Sequence, residues 1–129
     1  MRPGWTYRTP TGRATSALVG VAALAAARAA AGRRSRTLWV CAVVPDVALL
    51  IGAAAAPTWK QLPSYAIRPY NTLHSPVVPA ALLLTAAASG HRGTTVAGLA
   101  WLAHIAVDRA FGYGPRDGEG FVMHSVAAR

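Results

Sequence analysis

His104 and Asp108 interrupt an otherwise apolar run at residues 101–114, WLAHIAVDRAFGYG. Four residues of separation put both side chains on one helix face, one turn apart. So placed, an imidazole and a carboxylate can ligate one metal ion, or the carboxylate can orient the ring. The plainer role is a hydrogen-bonded clamp between helices. Ala97 and Ala100 continue that face and leave room for a neighbour. A second carboxyl, Asp46, follows Pro45 in Val44-Pro45-Asp46-Val47. Pro45 cannot donate to the Cys41 carbonyl, so the helix is expected to kink there. Asn71 and His74 form a third polar pair. Asn71 is expected to be a helix N-cap, whereas His74 stands where a capping box would carry Glu or Gln. Thr72 and Ser75 are placed to satisfy carbonyls opened by Pro76 and Pro79.

The elements that must position these groups are apolar throughout. Of 129 residues, 53% are hydrophobic and only 13% charged, about half the charged share usual for a soluble domain. Four spans emerge, at 14–31, 38–56, 72–89 and 94–112, each near the roughly 20 residues that cross a bilayer. The stretch PVVPAALLLTAAA at 76–88 has no polar face to meet water. Abundant alanine lets helices approach closely, which is how bundles pack in lipid. The first span is mostly alanine, and Arg28 must snorkel to the interface. A cleaved signal peptide is the rival reading of that span, and three spans would then remain. The segment PTWKQLPSYAIRPYN, 57–71, is expected to be a loop lying in the interface, with Trp59, Tyr65 and Tyr70 at headgroup level. Residues 113–129 form a polar tail, and its RDGEG is a turn, without the Lys and strand–helix context of a phosphate loop. Gly112 is expected to take the left-handed position that ends the last helix.

The net charge of +9 comes from arginines that flank the apolar runs, such as Arg13 before the first and Arg33, Arg34 and Arg36 after it. That placement suits lipid headgroups, and no nucleic-acid motif accompanies it. Cys41 is the lone cysteine, which excludes an intrachain disulfide. In a four-span arrangement, eight Lys/Arg residues share a side with both termini and five lie opposite. The bias is expected to put both termini of a multi-pass membrane protein in the cytoplasm.

Short links make neighbouring spans antiparallel. Asn71 and His74, at the start of the third, then share a membrane face with His104, Asp108, Arg109 and Tyr113, at the end of the fourth. At about 1.5 Å per residue, His74 and Asp108 lie about 5 and 6 Å deep, and His104 and Asp46 about 12 and 15 Å. Two tiers are expected from those depths, His74 with Asp108 and His104 with Asp46. A single four-ligand site would require the second helix to unwind at Pro45.

The motifs VVPDVALLIG, YNTLH and WLAHIAVDRAFGYG followed by Phe121 resemble the small bacterial integral-membrane family catalogued as domain of unknown function 4260. The likeness covers roughly residues 38–121 and includes Pro45, Asp46, Tyr70, Asn71, His74, His104, Asp108, Arg109, Gly112, Tyr113 and Gly114. It implies a four-helix membrane protein with no assigned activity. The chain departs from the family pattern at Arg13-Ala14-Thr15-Ser16, which lacks the family's acid, and at Arg116 and Val122-Met123-His124-Ser125 in the tail. A fainter likeness, to membrane-bound metal-dependent hydrolases, runs through Pro45-Asp46, His74-Ser75 and His104…Asp108.

The expectation is therefore a single all-α membrane domain of four antiparallel transmembrane helices, with the lipid bilayer as its surroundings and self-association left open. Asp46, His74, His104 and Asp108 are candidate metal ligands, supported by Asn71, Arg109 and Tyr113. The cluster is expected to hold the helices or bind a ligand or lipid headgroup. The alternative is a hydrolase of lipid-like substrates with a divalent metal and a bound water as nucleophile. An ion-coupled carrier using Asp46 and His104 is a third reading.

Overall fold

The computed structural model describes residues 4–53 and 60–123. Trp59, residues 54–56 of the expected second span, and the tail beyond Met123 lie outside the described residues. Seven helices are described: α1 (Trp5–Arg8), α2 (Pro10–Ala31), α3 (Arg36–Val43), α4 (Val47–Ala53), α5 (Ser64–Leu73), α6 (Val77–Ser89) and α7 (Arg92–Ala110). A 3₁₀ turn at Val44–Asp46 joins α3 to α4. Among the described residues there is no strand, only an isolated antiparallel bridge between Arg116 and Val122.

α7 is the central helix, against which α2, α6 and α3 pack. On α2 the buried positions are Gly12, Ser16, Gly20, Ala23 and Ala27, a stripe of small residues. It lets the two backbones come close, as expected of helices that associate without a hydrophobic drive. A Cβ added at Gly20 would lie 3.1 Å from Val107 Cγ2 and 3.4 Å from Ala106 Cβ. The pair is antiparallel: Arg13 Nε donates to the Ala110 carbonyl at one end (2.8 Å), while Ala27 and Val96 share a core with Leu38 at the other.

Proline placement explains where the helices break. α2 starts as a capped helix, with Pro10 at its first turn and the Thr9 side chain accepting from Gly12 N–H. Pro45 turns the α3–α4 segment into 3₁₀ geometry, as the sequence requires of a kink. Residues 64–71, expected as loop, are instead most of α5. Pro69 lies inside this helix, but Ala66 and Tyr70 bury an apolar face with Leu62 and Ala48, and that packing outweighs the missing hydrogen bond. Asn71 accordingly stands in the last turn of α5 and is not an N-cap. The third apolar segment breaks at His74–Pro76 before α6 resumes.

α7 ends as expected. Gly112 has φ +90°, its N–H reaches the Arg109 carbonyl, and Tyr113 N–H reaches that of Asp108 (2.9 Å). This is the Schellman pattern, which favours glycine because a left-handed residue with a Cβ is strained. Two segments, Pro10–Ala31 and Ser64–Ser89, are long and apolar enough to cross a membrane, with mean hydropathy 1.5 and 1.3.

Candidate metal centre

Asp46, His74, His104 and Asp108 meet in one place. One ligand atom from each lies within 4.8 Å of all the others. His74 Nε2 is 3.2 Å from both Asp46 Oδ1 and Asp108 Oδ2. His104 Nε2 is 3.2 Å from Asp46 Oδ1, 3.4 Å from Asp108 Oδ2 and 3.3 Å from His74 Nε2. A tetrahedral ion with arms of about 2.0–2.1 Å would set its ligands about 3.3–3.4 Å apart. Five of the six separations match that edge length, and the sixth, between the two carboxylate oxygens, is within 4.8 Å.

The expected two tiers are therefore replaced by a single site. The depth count assumed unbroken helices, and both relevant segments break. The 3₁₀ turn moves Asp46 relative to a regular helix, and His74 sits at the C-cap of α5 rather than one turn inside a continuous span. The requirement that the second helix unwind at Pro45 is met.

The same prolines help hold the ligands. A proline donates no N–H and interrupts the regular hydrogen-bond ladder, so carbonyls beside the break can accept from side chains. Three residues before Pro45, the Ala42 carbonyl accepts from His104 Nδ1–H at 2.7 Å. Three residues before Pro76, the Leu73 carbonyl accepts from Trp101 Nε1–H at 2.8 Å. Two side chains of α7 thus bind the open carbonyls at the two breaks. Trp101, rather than Thr72 or Ser75, takes the Leu73 carbonyl, while Ser75 Oγ accepts from Val77 N–H.

Both imidazoles have their orientation set. His74 Nδ1–H donates to the Tyr70 carbonyl at 2.9 Å, and His104 Nδ1–H to that of Ala42. A carbonyl can only accept, so in each neutral ring the proton is on Nδ1 and the lone pair on Nε2. The two Nε2 atoms lie 3.3 Å apart, each 3.2–3.4 Å from the two carboxylate oxygens. Such a second-shell carbonyl contact is the usual support of a metal-bound histidine. The Tyr70 ring stacks on His74, with centroids 3.9 Å apart and planes at 21°. His74 is 5% exposed, whereas Asp46 is 38% exposed, so the site is closed behind the histidines and open beside the carboxylates.

The supporting residues expected from sequence divide. Tyr113 lines a cavity of about 740 Å³ that also reaches Asp46, Asp108, Tyr70, Lys60 and Arg116. Asn71 does not face the ligands: its side chain clamps the Arg116 backbone, Oδ1 accepting from N–H (2.7 Å) and Nδ2 donating to C=O (2.9 Å). Arg109 lines a small crevice with His74, Asp108 and Tyr113, while its guanidinium lies 5.0 Å over the Tyr7 ring.

Arg116, read from sequence as part of a polar turn, is a buried residue at 8% exposure. Its Nη1 donates to the Lys60 carbonyl at 2.9 Å, and Leu62 N–H bonds the Gly120 carbonyl at 2.9 Å. The tail to Met123 is thus fastened over the bundle, with Arg8 Nη2 donating to the Met123 carbonyl at 2.8 Å. No sequence signal pointed to Arg116, because a charged residue in an RDGEG turn is ordinarily solvated.

No curated protein and no solved structure matches the chain. The family model described as Domain of unknown function (DUF4260) matches residues 15–127, and it spans all four clustered ligands, both proline breaks and the turn that carries Arg116. By that match over most of its length, the chain belongs to the DUF4260 family.

Proposed function

We propose that this chain is a multi-pass membrane protein of four spans whose bundle holds one divalent first-row transition metal ion between Asp46, His74, His104 and Asp108. One observation carries the metal reading: two Nε2 atoms lie 3.3 Å apart beside two carboxylates, while both Nδ1–H groups are committed to carbonyls. Four electron-rich atoms so close need positive charge among them, which a metal ion supplies to all four at once whereas protonated rings pair only with the carboxylates. Two imidazoles with two carboxylates suit zinc, iron or manganese better than magnesium, which favours all-oxygen shells. The four spans are supported by apolar segments that stay largely uncovered. Only 22% and 17% of the most apolar windows in Pro10–Ala31 and Ser64–Ser89 are buried, whereas a soluble protein hides such a helix. Leu18, Val21, Leu50, Val77 and Leu84 are each more than two-thirds exposed, which fits lipid contact, and the Lys/Arg bias favours both termini in the cytoplasm.

The test is elemental analysis of detergent-purified protein after zinc or manganese loading and removal of free metal. About one ion per chain is expected, falling to background in His74→Ala and His104→Ala. Absence of stoichiometric metal after both loadings would overturn the reading.

A second reading is favoured by the cavity beside Asp46 and Asp108. Closed structural sites lack an open position, whereas a hydrolytic centre keeps one for water. Here the carboxylate side can admit a further ligand. In such a hydrolase, a water of lowered pKa adds to an ester's phosphoryl or acyl centre. The bond to the alcohol oxygen breaks, one proton of the water goes to that oxygen, and the other leaves with the acid product. Release of alcohol from a lipid ester by loaded protein, absent in Asp108→Asn, tests it.

A further inference from the structure

We propose that the cavity beside the metal centre binds a phosphate-bearing amphiphile, with Arg116 and Lys60 taking the phosphate and an apolar wall taking the tail. The inference rests on the metal reading for part of its charge argument and deepens it by naming the ligand class. The first observation is Arg116 itself. It is a cation 92% removed from solvent (8% exposed), and its buried Nε has no hydrogen-bond partner among the described residues. An unsatisfied buried donor is costly, and charged ones more so unless an anion completes them. The residue is nonetheless held firmly. Asn71 clamps both backbone polar groups (2.7 and 2.9 Å), and Nη1 is tied to the Lys60 carbonyl. The guanidinium lies 5.1 Å over the Tyr70 ring, the same ring that stacks on the metal-site His74. One aromatic ring therefore separates this arginine from a proposed metal ligand.

The second observation is the charge of the cavity. Its ionisable lining residues include Asp46, Asp108, Lys60 and Arg116. With neutral histidines these four formal charges cancel. A divalent ion in the cluster would leave two positive charges facing the space. A phosphate monoester, at about −1.5 to −2 near neutral pH, matches that excess. A single carboxylate leaves about half of it unmet. Arginine's planar fork is also suited to phosphate oxygens.

The third observation is what else lines the cavity. Leu49, Phe111, Phe121 and Val122 supply a hydrocarbon wall, and Phe111 is 70% exposed at its edge. A volume of about 740 Å³ lies within the range that accommodates a drug-sized ligand, roughly 300–1,000 Å³. Charge at one end and an open apolar edge at the other describe an amphiphile with its headgroup inside.

The experiment uses full-length, metal-loaded protein in neutral detergent. Titration calorimetry compares a short-chain phosphatidic acid, the matching phosphatidylcholine and inorganic phosphate. Phosphatidic acid is expected to bind at least tenfold more tightly than inorganic phosphate, and phosphatidylcholine to bind weakest. Arg116→Gln should weaken phosphatidic acid binding at least tenfold with one metal ion per chain retained, and Arg116→Lys should recover part of the loss. Lys60→Gln, at an exposed residue, supplies a milder variant in case Arg116→Gln does not fold, with an expected loss of about threefold. Equal binding of the two lipids, or wild-type affinity in Arg116→Gln or, where that variant does not fold, in Lys60→Gln, would overturn the proposal. Inorganic phosphate binding as tightly as phosphatidic acid would overturn the amphiphile and leave a free phosphate as ligand. If no metal loads, the metal reading fails separately, and the Arg116→Gln comparison in unloaded protein then decides the anion site.

Discussion

Replacing Asp46 with asparagine separates a metal centre from an ion-paired helix clamp, because the two predict opposite signs in metal-free protein. Asp46 Oδ1 and Asp108 Oδ2 lie within 4.8 Å of each other. If both are ionised and the histidines neutral, their repulsion is about 3 kcal/mol at an effective dielectric of about 20. Asp46→Asn removes that repulsion at little steric cost, so metal-free protein should be unchanged or more stable. A clamp of protonated histidines would instead lose a partner shared by both rings. Breaking it would cost about 1–3 kcal/mol after discounting for the partial exposure of Asp46. With metal the sign reverses. At free metal 100 times Kd the wild type gains about 2.7 kcal/mol, and a variant binding about 100-fold more weakly gains only about 0.4. At about 3–5 °C per kcal/mol for a domain of this size, the wild-type shift is about 8–13 °C and the variant's about 1–2 °C. Thermal unfolding in detergent, followed by tryptophan fluorescence with chelator and then with excess zinc, reads both numbers. A drop in Tm of Asp46→Asn in chelator, together with an undiminished metal shift, would refute the metal argument.

Other expectations follow from the same geometry. Metal affinity should fall as pH is lowered, because the ligating rings must be neutral. Each ring must give up its proton before Nε2 can bind an ion, and retention of full affinity at pH 5.5 would contradict histidine ligation. Pro45→Ala should let a regular helix re-form, in which the N–H of residue 45 bonds the Cys41 carbonyl and that of Asp46 competes with His104 for the Ala42 carbonyl. Metal affinity is expected to drop about 10–100-fold, the range typical of second-shell loss, with helical circular dichroism preserved. Gly20→Val should push α2 from α7 and destabilise by about 1–3 kcal/mol through overpacking, read as a lower Tm with or without metal. Asn71→Ala should loosen the tail turn and cost about 1–3 kcal/mol by leaving the Arg116 backbone groups unsatisfied, with metal stoichiometry unchanged by elemental analysis.

Much of the helix pattern was legible because lipid-like composition leaves few alternatives. The last helix, expected over 94–112, is observed at Arg92–Ala110 and closes on Gly112 as its GYG motif implies. The convergence of His74 with His104 and Asp108 followed from connection lengths alone. α5 was not legible, since three prolines in 57–71 spoke for a loop while the face of Ala66 and Tyr70 became decisive only once α4 was there to receive it. Arg116 was hidden for a similar reason: a charged residue in an RDGEG turn is ordinarily solvated, and only the Asn71 clamp and the Lys60 carbonyl bury it.

What the residues determined unaided was a polar quartet in an apolar chain, a kink at Pro45, and a family membership. Tertiary structure decided that the quartet is a single site. Depth along a helix is a one-dimensional count, and it fails wherever the backbone changes pitch. The 3₁₀ turn at Val44–Asp46 and the break at His74–Pro76 are both such places. The ring orientations were equally out of reach of sequence, because they depend on which distant carbonyl each Nδ1–H meets. Those carbonyls, on Ala42 and Tyr70, fix both rings so that their Nε2 atoms meet beside the two carboxylates.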